Sequence, residues 1–156
     1  MSRMNEIAVI ALPMTLQHVL DVFAARRDPR NTQDMSDAQF AEMVEMYQRN
    51  GSAWAAVAGD LTIAIGGVYV LRAHVGEAWF VPTSRVNSFP VAFCKIARMV
   101  LDDACRRFAL HRIQLAVRAD DAQALKFAER VLGGTREGLM RKYGSDGADY
   151  VRLANV

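Results

Sequence analysis

Gly76-Glu77-Ala78-Trp79-Phe80-Val81-Pro82-Thr83-Ser84-Arg85-Val86-Asn87-Ser88-Phe89-Pro90 is the stretch on which the reading of this chain turns. The apolar run Ala78–Val81 predicts a buried strand, stopped at Pro82 and followed by the loop Thr83–Ser88. A long amphipathic segment, Pro90–Leu110, comes next. Its apolar set Phe93, Ala97, Val100, Leu101, Ala104 and Phe108 follows helical spacing. Arg98, Asp102 and Arg106 fall on another face, where Asp102 and Arg106 are spaced to pair. Asn87 or Ser88 is placed to cap the helix, and Pro90 is tolerated in its first turn. A helix N-terminus directly after a buried strand is an arrangement that holds phosphate groups.

Downstream, an alternating strand is expected at Arg112–Arg118 and a helix opened by Asp120-Asp121. In that helix Leu125, Ala128, Val131 and Leu132 point inward, while Lys126, Glu129 and Arg130 face water. After Gly133-Gly134, two strands, Leu139–Tyr143 and Ala148–Leu153, flank the turn Gly144–Gly147. Upstream, Glu6–Leu12 reads as a first strand ended by Pro13. Thr15 caps a helix through about Arg26 with Leu16, Val19, Leu20 and Phe23 on one face. Arg27–Asp34 is a polar loop. Ser36-Asp37-Ala38-Gln39 has the capping-box form ahead of Phe40, Met43, Val44 and Tyr47. Asn50-Gly51 is expected to end that helix through a left-handed glycine. Ala53–Ala58 and Leu61–Leu71 form a hairpin across Gly59-Asp60. The sum is a single α/β (α+β) domain: a mixed, mostly antiparallel sheet flanked by helices.

Composition sets outer bounds. With 156 residues, 52% apolar and 23% charged, the chain suits one compact core and not disorder. A net charge of +2 gives no general argument for a nucleic-acid partner. No run of eighteen apolar residues and no secretory pattern at Met1–Glu6 are present, so the expectation is a soluble, cytoplasmic protein without a membrane partner. Cys94 and Cys105 lie on one expected helix about 16 Å apart, well beyond the ~6 Å that a disulfide spans. His18, His74 and His111 are scattered, without Cys or carboxylate at ligand spacing, and no metal site is expected.

The order of elements, with Asp121-x-x-Ala124-x-x-Phe127-Ala128-Glu129, then Gly133-Gly134 and Glu137-Gly138, resembles the GNAT superfamily of acyl-CoA-dependent N-acetyltransferases. The resemblance implies acetyl-CoA as cofactor, with its pantetheine arm along the strand Glu77–Val81, at Trp79, Phe80 and Val81. It implies a diphosphate at the loop and helix start Thr83–Ala92, held by Thr83, Arg85, Asn87 and Ser88. Asp121 stands where the family often has an Asn that also serves the cofactor. Glu77 stands where these enzymes often place the base that deprotonates the acceptor amine, although a glutamate at a strand start is equally at home as a solvated residue. Arg85 is likewise open to a plain surface role.

The sequence departs from the family pattern in three places. The phosphate loop usually reads Arg/Gln-x-x-Gly-x-Gly/Ala, and Arg85-Val86-Asn87-Ser88-Phe89-Pro90 has the arginine and neither glycine. Pro90 also removes one N–H donor. The helical tyrosine that protonates the departing thiolate is matched by Ala128, leaving Tyr143 or Tyr150 as substitutes. A narrower similarity fits these departures. Gly76–Val81 with Thr83-Ser84, the glycine-poor loop and Lys126-Phe127 are similar to the internal virion protein A, or probable scaffold, family of short-tailed bacteriophages. That similarity implies a phage origin, virion assembly proteins as partners, and a GNAT fold kept for assembly. Two functions are therefore expected in competition: acetyl transfer to an unspecified amine, and virion assembly in the host cytoplasm or the particle. A homo-oligomer is compatible with either.

Overall fold

The computed structural model describes residues 7–31 and 36–156. Its seven strands form one sheet: β1 (Val9–Pro13), β2 (Gly51–Ala58), β3 (Leu61–Arg72), β4 (Val75–Pro82), β5 (Arg112–Arg118), β6 (Thr135–Met140) and β7 (Tyr150–Asn155). The strand order is β1-β2-β3-β4-β5-β7-β6, so β4 lies in the middle, as the apolar run Ala78–Val81 predicts. All neighbours are antiparallel except β4 and β5. A parallel pair needs a crossover, and it is supplied by a 3₁₀ turn, Ser84–Ser88, and the 19-residue helix Pro90–Phe108.

Four α-helices are described: α1 (Leu16–Ala25), α2 (Asp37–Arg49), α3 (Pro90–Phe108) and α4 (Ala122–Arg130). The period-two alternation of the strands sends side chains to two separate cores. On one face, Val19 and Val22 of α1 and Phe40 and Val44 of α2 pack on Ala53, Ala55, Val57 and Ile65. On the other, Ala97, Leu101 and Ala104 of α3 and Leu125 and Ala128 of α4 cover Val68, Ala78, Ile113, Leu115, Val117, Val151 and Leu153. Phe108 is half-buried and Arg98 and Asp102 are exposed. Gly66 matters to this packing: a Cβ there would sit 2.5 Å from the ring of Phe80.

Several boundaries differ from the sequence reading, each for a local reason. Gly51 does not end α2 in a left-handed conformation. Asn50 caps that helix, its N–H bonded to Met46 O, and Gly51 opens β2 opposite Tyr69. There a Cβ would fall 1.9 Å from Val68 O, so glycine is needed for close approach. Neither Asn87 nor Ser88 caps α3; Phe89 holds that position without a side-chain bond. The ion pair on α3 joins Asp103 and Arg107 at 3.4 Å instead of Asp102 and Arg106. The last hairpin is Thr135–Met140 with Tyr150–Asn155, shifted from the expected strands. β6 is exposed along nearly its whole length, so no burial alternation marks its register in the sequence. Pro13 belongs to β1, an edge strand on which a missing N–H is tolerated. Of the expected first strand, Glu6 lies outside the described residues, as do 32–35 of the expected loop; the rest of that loop includes a 3₁₀ turn, Pro29–Asn31.

Because Leu101 is 7% exposed in the larger core, Leu101→Ala should destabilise the protein by roughly 2–5 kcal/mol. Asp102→Ala, on the wet face, should stay within about 0.5 kcal/mol. Urea unfolding midpoints of the two variants check the pair.

Candidate functional site

The parallel pair β4–β5 is registered only at Val75 with Arg112, Gly76 with Ile113 and Glu77 with Gln114. Beyond that point β4 stays on β3 through Pro82, and β5 stays on β7 through Arg118. The sheet therefore splits into a wedge with its apex at Glu77 and Gln114. Thr83 N–H bonds to Ile63 O at 2.9 Å and fixes the phase of β4. By antiparallel alternation, the backbone groups of Ala78, Phe80 and Pro82 then face the gap. Ala119 N–H bonded to Asp149 O fixes β5 likewise, turning the backbone of Ala116 and Arg118 toward the same gap. The chain closes the wide end itself. Arg27 N–H donates to Pro82 O at 2.8 Å, and Arg118 O accepts from Asp121 N–H at 3.1 Å. Between apex and mouth the strand edges are open.

A cavity of about 660 Å³ fills the wedge. Strand alternation divides its wall. Glu77, Trp79 and Val81 project toward α1 and α2, where Phe23, Met43 and Tyr47 complete the lining. Ala78 and Phe80 project toward α3 and α4, where Phe93, Cys94, Phe127, Ala128 and Leu132 line it. Phe127 ties that lobe together, stacked on Phe93 at 5.2 Å and edge-on to Phe80 at 5.9 Å.

Of the residues singled out from the sequence, Glu77, Trp79, Phe80, Val81, Asn87 and Asp121 line the cavity. Thr83, Arg85 and Ser88 do not. Thr83 is fully buried, and its hydroxyl donates to Ile63 O at 2.7 Å while accepting from Arg85 N–H, so it shapes the turn. The Arg85 guanidinium donates to Thr62 O at 3.0 Å, away from the cavity. Ser88 is exposed on the loop. Asp121 caps α4 by accepting from Ala124 N–H at 3.0 Å, and it pairs with Arg27.

The sequence reading missed the partners that hold these groups. Arg152 of β7 binds both oxygens of Glu77, at 2.7 and 2.9 Å, and Gln114 donates to the same carboxylate at 2.8 Å. Arg152 and Gln114 are the polar members of alternating strands, a signal that gives their face but not their partner. At the mouth, Arg27 reaches Asp121 and Gln123, and Gln123 donates to Asn87 at 3.3 Å. Arg118, only 5% exposed, pairs with Asp120 and Asp146 and lies 5.9 Å from the centre of the Tyr150 ring. Tyr150 lines the cavity, whereas Tyr143 is exposed. Burial pushes the Tyr47 phenol above its ordinary pKa, with the charge of Glu77 adding to the effect, so it is a neutral phenol at pH 7. No group of three or more His, Cys, Asp or Glu forms a cation site among the described residues, and no described helix is long and apolar enough to cross a membrane.

The segment that follows Arg27 carries an ion pair with a pH signature. The Arg30 side chain, hydrogen-bonded to Asp28, holds that carboxyl at about 2, well below its ordinary 3.8. A depressed carboxyl stabilises the fold above its unfolded pKa and loses that contribution as pH falls toward the folded value. Stability should therefore drop as pH goes from about 4 to about 2, with Arg30 half-exposed and screening limiting the size. Asp28→Asn should flatten that segment of a urea-midpoint profile; an unchanged slope would show that the pair does not contribute.

No family model matches the sequence, and no curated protein matches it. Solved structures do match its fold. Ard1 from Thermoplasma volcanium superimposes with a TM-score of 0.75 at 14% identity, over 96% of this chain and 97% of that one. The ribosomal-protein-alanine N-acetyltransferase from Brucella melitensis gives 0.78 at 12% identity, over 94% and 99%. The putative acetyltransferase YncA from Salmonella typhimurium, solved with its cofactor acetyl-CoA, gives 0.75 at 12% identity, over 95% and 93%. The chain has the GNAT acetyltransferase fold.

Proposed function

We propose that this protein moves an acetyl group from acetyl-CoA to a primary amine. The observation that carries the reading is the wedge: open strand edges at Phe80 and Ala116 facing a cavity of about 660 Å³ that reaches the start of α3. A pantetheine arm carries amides, and the backbone groups of Phe80 and Ala116 are matched hydrogen-bond partners for them. The first turn of α3 has no side-chain cap, so the N–H groups of Val91 and Ala92 and the positive end of the helix face a diphosphate. Asn87 lies beside them on the cavity wall, and Ser88 on the exposed loop. Thr83 and Arg85 serve this site by holding the turn, and Asp121 by fixing the start of α4.

When bound, acetyl-CoA supplies the acetyl group as an activated thioester. Glu77 takes the ammonium proton, through a water molecule, so that the amine lone pair is free to attack. Arg152 and Gln114 hold its carboxylate in place, and general-base help of this kind contributes roughly 10²-fold or more. Tyr150 is a phenol on the cavity wall that would protonate the leaving sulfur, Tyr47 being stacked on Trp79 in the other lobe.

A second reading, an internal virion or assembly protein that keeps the fold without turnover, draws on one observation. The loop arginine is turned inward to Thr62, and no glycine opens the loop. The named structural neighbours, all acetyltransferases, lend that reading no support.

Acetyl-CoA at about 100 times its Kd should stabilise the folded protein by about 2.7 kcal/mol, a rise in Tm of roughly 5–10 °C for a chain of this size. Thiol release with an amine panel should follow, and Glu77→Gln should lower the rate roughly 10²-fold. Full activity in Glu77→Gln removes the base assignment. No Tm response at millimolar acetyl-CoA shifts the reading to assembly.

A further inference from the structure

The lobe of the cavity under α1 and α2 has a composition of its own. Tyr47 stacks on Trp79 with ring centroids 4.3 Å apart and planes at 29°, and Phe23 and Met43 continue that wall. The indole N–H of Trp79 is buried and has no hydrogen-bond acceptor among the described residues. Each charged side chain that lines the cavity is already matched: Glu77 by Arg152, Asp121 by Arg27, and Arg118 by Asp120 and Asp146. Both oxygens of Glu77 are occupied by Arg152, and one of them also by Gln114.

A polycation entering this lobe would lose water around each ammonium group and meet no carboxylate free to replace it. A flat apolar body, in contrast, gains contact with the aromatic wall. Resting on the acetyl-transfer reading, we infer that the acceptor is a monoamine on a compact aromatic or branched aliphatic body. The geometry rejects polyamines and aminoglycosides. The lobe opens onto the apex of the wedge, so a body seated against Tyr47 and Trp79 presents its amino group beside Glu77.

Two measurements separate this inference from the reading beneath it. Calorimetry with acetyl-CoA tests the cofactor alone. Saturation-transfer NMR with CoA present then compares phenethylamine, tyramine and spermidine at equal concentration. The ring protons of phenethylamine and tyramine should receive saturation and the methylene protons of spermidine should not, and kcat/KM for the aromatic amines should exceed that for spermidine by about tenfold or more. Tyr47→Leu should weaken phenethylamine about tenfold while Tyr47→Phe restores it, a contrast that a folding defect would not give. If acetyl-CoA binds and spermidine binds or reacts as well as the aromatic amines, the inference is overturned and acetyl transfer stands. If acetyl-CoA binds and no amine of the panel does, the inference falls in the same way. If acetyl-CoA does not bind, the acetyl-transfer reading itself fails.

Discussion

A parallel strand pair that abandons its ladder after three registered residues leaves polar backbone facing polar backbone across a gap, and the rest of this molecule is organised by that fact. A buried N–H or C=O without a partner costs about 1–3 kcal/mol, so an open wedge persists only if each strand is held firmly elsewhere. Both are. β4 is laddered to β3 from Val75 to Pro82, and β5 to β7 from Ile113 to Arg118. The apex is pinned by Arg152 and Gln114 on Glu77, and the mouth by the Arg27 contacts with Pro82, Asp121 and Gln123. What remains in the middle, at Phe80 and Ala116, is open strand edge facing the cavity.

The elements with strong periodicity were readable from the residues alone. The helix Pro90–Phe108 buries Phe93, Ala97, Val100, Leu101 and Ala104 because those positions recur at three and four, and β4 is central because its apolar run is unbroken. Where burial does not alternate, the reading failed: β6 is nearly all exposed, and its start slipped by four residues from Leu139 to Thr135. Gly51 misled for another reason. A glycine after a helix reads as a left-handed stop, yet here it answers to the carbonyl of Val68 in a neighbouring strand, a contact with no local trace. At the cavity, the lining residues of β4 were named from the sequence, whereas Arg27 and Arg152 were not. Each meets its partner across 94 or 75 residues of chain, and such pairings are fixed by the sheet order, not by spacing.

The same geometry explains why the phosphate loop departs from the family pattern without disturbing the fold. In the usual loop, glycines let backbone N–H groups crowd around a diphosphate. Here the turn is stabilised internally, by the Thr83 hydroxyl on Ile63 O and the Arg85 guanidinium on Thr62 O. These bonds tie the loop to β3 and leave only the uncapped first turn of α3 to meet an anion. An arginine that supports a loop from behind cannot also reach forward to a phosphate, so at this turn an anion would meet only the helix dipole and a few N–H groups, each worth less than a charge-assisted pair.

Glu77 is where structure and chemistry press against each other. The apex of the wedge needs a group that joins β4 to β7 across β5, and a carboxylate held by a guanidinium does this well. The same two partners that fix Glu77 also fix the strands on either side of β5, so the carboxylate cannot be freed without loosening the apex. The lobe under α1 and α2 follows the same logic: with Glu77 already matched in charge, its wall is left to the stacked rings of Tyr47 and Trp79.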